Sequence, residues 1–122
     1  MDKFLKYFQP KQPLSREAFM AYFHKLPDKI SVVWKRDGKF IIGWVETGDN
    51  KFVTQAESAS EFINIINDSI LIIFEIPEKY HQILRKTKSF LPPEDQVKML
   101  NDLSVPGAKI KFEKNEKVFS LA

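Results

Sequence analysis

Cysteine is absent from this 122-residue chain, which removes disulfides, thiolate nucleophiles and Cys-ligated zinc or iron–sulfur centres together. That absence fits a reducing compartment, and a cytoplasmic location is expected. Glycine is scarce. The four glycines, Gly38, Gly43, Gly48 and Gly107, are too dispersed to write G-x-x-x-x-G-K-[ST] or G-x-G-x-x-G, so no backbone cradle for a nucleotide phosphate is implied. The two histidines, His24 and His81, have no second ligand at metal spacing, and neither a metal nor a cofactor is expected. Serines lack a G-x-S-x-G setting, and Glu46, Asp49 and Glu57 fall at or near turns, where solvated charge is the ordinary reading. No catalytic residue is assigned, and the protein is expected not to be an enzyme. Long apolar runs are missing too. Asn64, Asn67, Asp68 and Glu75 interrupt the segment from Phe62 to Pro77, well short of the ~20 apolar residues of a membrane span. Asp2, Lys3, Lys6 and Lys11 break up the N-terminus, so it lacks the apolar stretch of an export signal.

What is present suffices for one core. Hydrophobic residues make up 43% of the chain, and eleven are Phe, enough apolar surface to offset chain entropy in a single domain over residues 1–122. Pro10 and Pro13 restrict their predecessors to extended backbone, making residues 1–13 an arm. Ser15 can cap a short helix carrying Phe19, Tyr22, Phe23 and Leu26 at helical spacing and stopping before Pro27. Ile30–Lys35, Phe40–Val45 and Lys51–Gln55 read as strands, joined through Asp37-Gly38 and through Thr47-Gly48-Asp49-Asn50, a three-stranded meander. Ser58-Ala59-Ser60-Glu61 has the form of a capping box. The helix it opens carries Phe62, Ile65, Ile66, Ile70 and Ile73 on one stripe, with Asn64, Asn67 and Asp68 turned outward. Residues 70–76 are β-branched enough to be strand or helix, and Pro77 stops either. A helix after Pro77 carries Tyr80, Ile83 and Leu84. Another opens at Pro93-Glu94-Asp95 with Val97, Leu100 and Leu103 on its apolar side. Lys109–Glu113 alternates at period two, and a returning Lys117–Leu121 completes a C-terminal hairpin. The expected class is α+β: a mostly antiparallel sheet, meander plus C-terminal hairpin, with one central capped helix and short flanking helices.

Net charge is +3, and residues 79–122 hold nine Lys or Arg against five Asp or Glu, an excess of four. Arg85, Lys86 and Lys88 form one basic stretch. Lys109, Lys111, Lys114 and Lys117 line the expected hairpin and are the candidate nucleic-acid contacts, against the plainer reading of a solvated strand face. Phe40, Trp44 and Phe52 suggest a stacking platform for single-stranded nucleic acid, a reading that needs the lysine face to lie beside exposed aromatics. Parity places Phe40, Ile42 and Trp44 on one face and Ile41, Gly43 and Val45 on the other. Both faces are apolar, so the one not under the central helix requires a cover, either flanking helices or another protein, a second copy of the chain included.

One stretch carries a family resemblance. Lys35-Arg36-Asp37-Gly38 followed by Phe40-Ile41, then Val53-Thr54-Gln55-Ala56-Glu57-Ser58, then Glu61-Phe62 and the Ile-rich helix, together spanning Ile30 to Ile70, resemble the N-terminal domain of HicB-type antitoxins. The resemblance implies a small, degenerate RNase H-like sheet with one packed helix as the core over residues 30–76, followed by residues 78–122 as a helical segment plus hairpin. It implies a protein that binds and masks a small HicA ribonuclease toxin. Trp44, Phe52, Val53 and Gln55 are then the expected partner contacts, since strand edges and aromatic anchors mediate such recognition.

Overall fold

The computed structural model describes residues 14–116; the expected arm over residues 1–13, Lys117 and the expected returning strand lie outside the described residues. Helix α1 spans Arg16–Lys25, and its N-cap is Ser15, whose Oγ accepts from the Ala18 amide at 3.2 Å. Glu17 in the first turn and His24 and Lys25 in the last complement the helix dipole. The helix ends ahead of Pro27, as the sequence predicts. Strands β1 (Lys29–Asp37), β2 (Phe40–Thr47) and β3 (Asn50–Ala56) follow as the expected meander. Asp37 pairs with Phe40 and Thr47 with Asn50, so both loops have two residues, Gly38-Lys39 and Gly48-Asp49. Each places its glycine first at φ 60°, as a type II′ hairpin turn requires.

Helix α2 spans Ala59–Ile73, with Ser58 Oγ accepting from the Glu61 amide at 3.1 Å. It settles residues 70–76 as helix followed by a cap. Phe74 is the C-cap, Glu75 takes a left-handed conformation at φ 56°, and the amides of Glu75 and Ile76 return to the carbonyls of Ile72 and Leu71 at 3.0 Å. This is the Schellman arrangement with Glu where Gly is usual, and Leu71 and Ile76 are both buried beneath it. A 3₁₀ turn over Glu78–Tyr80 leads into α3 (His81–Thr87), then β4 (Lys88–Leu91), α4 (Glu94–Asn101) and β5 (Gly107–Glu116). Leu103 falls beyond the end of α4 and is exposed, so the helix presents Leu100 and Val97 to the core instead.

The five strands form one antiparallel sheet in the order β3-β2-β1-β5-β4. The α+β class is as expected, but β5 is built into the sheet differently from a terminal hairpin. It runs unbroken through Lys114–Glu116, where a hairpin would have to turn, and over 113–116 its neighbour is β4, with Phe90 opposite Lys114. Along its other side it pairs with β1, Val32 opposite Ile110.

One face of this sheet is the core face. Ile30, Val32 and Trp34 of β1, Ile41 and Val45 of β2, and Ile110 and Phe112 of β5 are buried in one cluster with Phe19, Phe62, Ile66, Ile70, Leu84 and Leu100 of the helices. Gly43 decides how closely α2 approaches: a β-carbon there would overlap the Phe62 ring. Asn67, expected to face outward, is buried instead. Its Nδ2 donates to the Phe90 carbonyl at 2.9 Å and its Oδ1 accepts from the Phe90 amide at 2.7 Å, so it satisfies the outer backbone of edge strand β4 as another strand would.

Replacing Gly43 with Ala is expected to destabilise the fold by about 1–3 kcal/mol through overpacking against Phe62, read as a lowered denaturant midpoint at unchanged slope. Glu75→Gly is expected to do the opposite. It relieves a left-handed non-glycine residue and should raise stability by up to about 1 kcal/mol in the same measurement.

Candidate functional site: an open sheet face

The alternation that buries one side of the strands exposes the other. Among the described residues no side chain on this second face is buried, and no helix packs over it. The choice left open by parity is therefore made: Ile41, Gly43 and Val45 lie under α2, while Phe40, Ile42 and Trp44 face outward. Register builds the face in cross-strand rows, since residues opposite one another share a side. Val53, Trp44, Val33 and Lys109 form one row across β3, β2, β1 and β5. Gln55, Ile42 and Lys35 form the next, and Lys51, Glu46, Ser31 and Lys111 the row on the other side. Val53 is 62% exposed and Trp44 44%, while Phe40 and Ile42 are half-buried. An apolar band thus runs over β3, β2 and β1, with cations predominating on its β1 and β5 flank, where Glu113 stands opposite Lys29.

Lys29, Lys35, Lys109 and Lys111 of this face have no salt bridge to any described residue, whereas Lys51 pairs with Glu46 at 3.6 Å. Several basic side chains elsewhere are engaged by the fold. Arg36, whose guanidinium carbon lies 5.2 Å from the centre of the Trp34 ring, donates to the carbonyls of Leu100 and Val105 at 2.7 and 2.9 Å and so closes the C-terminal end of α4. Lys88 is buried, donating to the Phe23 and Leu26 carbonyls at 2.8 and 3.1 Å at the end of α1. Arg85 bonds to Asp68 and to Asn64 on α2. The stretch Arg85, Lys86 and Lys88 is therefore no continuous basic patch; of the three, Lys86 alone is exposed.

Of the residues picked out from the sequence, Trp44, Val53, Gln55, Lys109 and Lys111 come together on the open face. Two do not. Phe52 has the opposite parity and packs half-buried against the core. Lys114 likewise leaves the row of Lys109 and Lys111, and its Nζ bonds Asp28 at 2.9 Å. Lys29 and Lys35 were not singled out from the sequence, although the period-two run Lys29-Ile30-Ser31-Val32-Val33-Trp34-Lys35 places them with Val33 once Trp34 is known to be inside. His81 Nε2 contacts the Ile76 carbonyl at 2.7 Å, and His24 is exposed on the last turn of α1. Glu46 and Glu57 are each engaged by a lysine, Lys51 and Lys39 respectively, and Asp49 is exposed in its loop. Among the described residues no group of His, Cys, Asp and Glu could hold a metal ion, and no helix is long and apolar enough to cross a membrane.

Comparison with protein-family models, curated proteins and solved structures finds no match to this chain.

The Lys114 hydrogen bond, followed by the charges of Lys114, Lys88 and His24, holds the Asp28 carboxyl below its usual value of 3.8. A carboxylate depressed in the native state contributes stability above its unfolded pKa and loses it as pH falls through the native one. Asp28→Asn is therefore expected to lower the melting temperature at neutral pH, slightly through the exposed Lys114 pair and further because the Asp28 carboxylate also stands 3.9 Å from the buried Lys88 ammonium. The difference from the parent should vanish as melting is followed to pH values below the ordinary carboxylate range.

Proposed function

We propose that this chain is a binding protein rather than an enzyme, and that its open sheet face is the recognition surface for an anionic macromolecule. The observation that carries this reading is the set of four lysines without ion pairs to any described residue, Lys29, Lys35, Lys109 and Lys111, beside the Val53–Trp44–Val33 band. Solvation alone accounts for lysines on a strand face. It does not account for an exposed Trp between two exposed valines beside them, a combination that suits a partner able to take apolar contact and charge together. Like charges on such a face repel one another, and a polyanion relieves that repulsion while steering its own approach. The same repulsion disfavours pairing of the face with a second copy of itself. A cytoplasmic setting agrees with a cysteine-free chain.

A second reading follows the HicB-like resemblance, in which the chain masks a small toxin-like protein. What favours it is the free edge of β3, which carries Val53 and Gln55 beside Trp44 and pairs with no further strand among the described residues; a partner can add a strand there. The lysines of the open face speak against a basic partner. Retention on heparin separates the two readings. Lys109→Glu combined with Lys111→Glu is expected to elute at clearly lower salt than the parent, while the equally charged control Lys86→Glu with Lys98→Glu, both on helices, should shift much less. Equal shifts in the two variants would overturn the face assignment. A stoichiometric small protein that stays bound at high salt would move the reading to masking.

A further inference from the structure

Resting on the assignment of the open face as a polyanion surface, we infer that its occupant is single-stranded RNA, with a base stacked on Trp44 and the backbone running over the lysines of β1 and β5. Three features of the face converge on this. First, Trp44 stands on β2, one strand in from the free edge of β3, and it is the large aromatic ring most open to solvent there. An aromatic side chain on a flat sheet offers its ring to an unstacked base, which a duplex keeps hidden. Second, the cations sit to one side of the ring instead of surrounding it. Lys109 lies in the same cross-strand row as Trp44, two strands away, a separation of about 10 Å from the spacing of neighbouring strands. Lys35 and Lys111 flank that row on either side. A base over Trp44 can therefore direct its sugar–phosphate chain toward β1 and β5, along which the lysines are spread. Third, Gln55 and Ser31 lie in the rows adjoining the Trp44 row. They supply uncharged hydrogen-bonding groups beside the stacking site, the kind that read a 2′-hydroxyl and tell RNA from DNA.

Phe40 extends the platform. It lies on the same face of β2, four residues from Trp44, about 13 Å at the rise of a strand. Lys39 Nζ, ion-paired with Glu57 at 3.3 Å, stands 5.4 Å from the centre of its ring. No element among the described residues projects from this face to enter a duplex groove, and a flat aromatic surface gains nothing from bases already paired and stacked. An acidic polypeptide would use the lysines as well, but it would have little use for the Trp44 ring, and that difference makes the inference testable.

The experiment uses the full chain with a fluorescein-labelled twelve-residue oligouridylate, read by fluorescence anisotropy. Four phosphate contacts on a single strand imply that affinity falls about fifty-fold over a fourfold rise in salt. Trp44→Ala is expected to weaken binding about tenfold or more, and Lys109→Glu with Lys111→Glu at least as much, with Lys86→Glu and Lys98→Glu as the charge control. All these side chains are exposed, and an unchanged denaturant midpoint confirms that each variant folds. Polyglutamate of similar length, used as competitor, should lose no affinity in Trp44→Ala. If heparin retention depends on Lys109 and Lys111 while oligouridylate binding ignores Trp44→Ala, the RNA inference is overturned and the polyanion face stands. If neither probe responds to the lysine variants, both fall. Binding of a twelve-residue oligothymidylate as tight as that of the oligouridylate, or tighter, would overturn the assignment to RNA.

Discussion

Phe62 lies against the backbone of Gly43, and the close approach of α2 to the middle of β2 depends on that contact. With the ring in place, Ile41 and Val45 on the same side of β2 join Ile66 and Ile70 of the helix in the core. Every residue of opposite parity is thereby turned to solvent. Strand pairing carries the decision across the sheet, because residues in register share a face: Trp44 outside places Val33 outside, and Val33 outside places Lys109 outside. The open face is thus a consequence of where one phenyl ring packs, and its composition was set by that choice.

A second constraint governs the charges. Helices α1 and α4 end against side chains of the sheet, and their terminal carbonyls need donors. Arg36 supplies them for α4 and Lys88 for α1, while Asn67 performs the equivalent service for the edge strand β4. Burying Lys88 is tolerable because its ammonium meets two carbonyl oxygens and stands 4.8 Å from the centre of the Phe23 ring. Basic residues that look equivalent in the sequence therefore divide into two groups. Those aimed inward hold the helices to the sheet, and those on the outer side of β1 and β5 form no ion pair with any described residue and lie beside an apolar band. The binding role proposed for the open face arises from this division, since the first group is engaged by the fold and the second is open to a partner.

The elements with strong local signals were legible in advance. Ser15 and Ser58 cap their helices through their own hydroxyls, and Gly38 and Gly48 provide the positive φ that two-residue hairpins require. Strand β4 was not legible. Lys88–Leu91 is four residues long, follows α3 without a turn signal, and is a strand because β5 pairs with it and Asn67 satisfies its other side. Asn67 itself reads as a surface residue on an amphipathic helix until the backbone it serves is in view.

By itself, the sequence determined which segments are helix and strand wherever a cap, a glycine turn or an apolar period acts over a few residues, and it determined that β2 is apolar on both faces. Tertiary structure alone decided which of those faces is covered, that β5 lies between β1 and β4, and that Lys109 and Lys111 share a surface with Trp44 while Lys114 turns away to Asp28. The physical reason is range. Capping and turn conformations are fixed by neighbours along the chain, whereas the side of a strand that meets the core depends on packing and pairing between residues far apart in sequence, which local pattern does not encode.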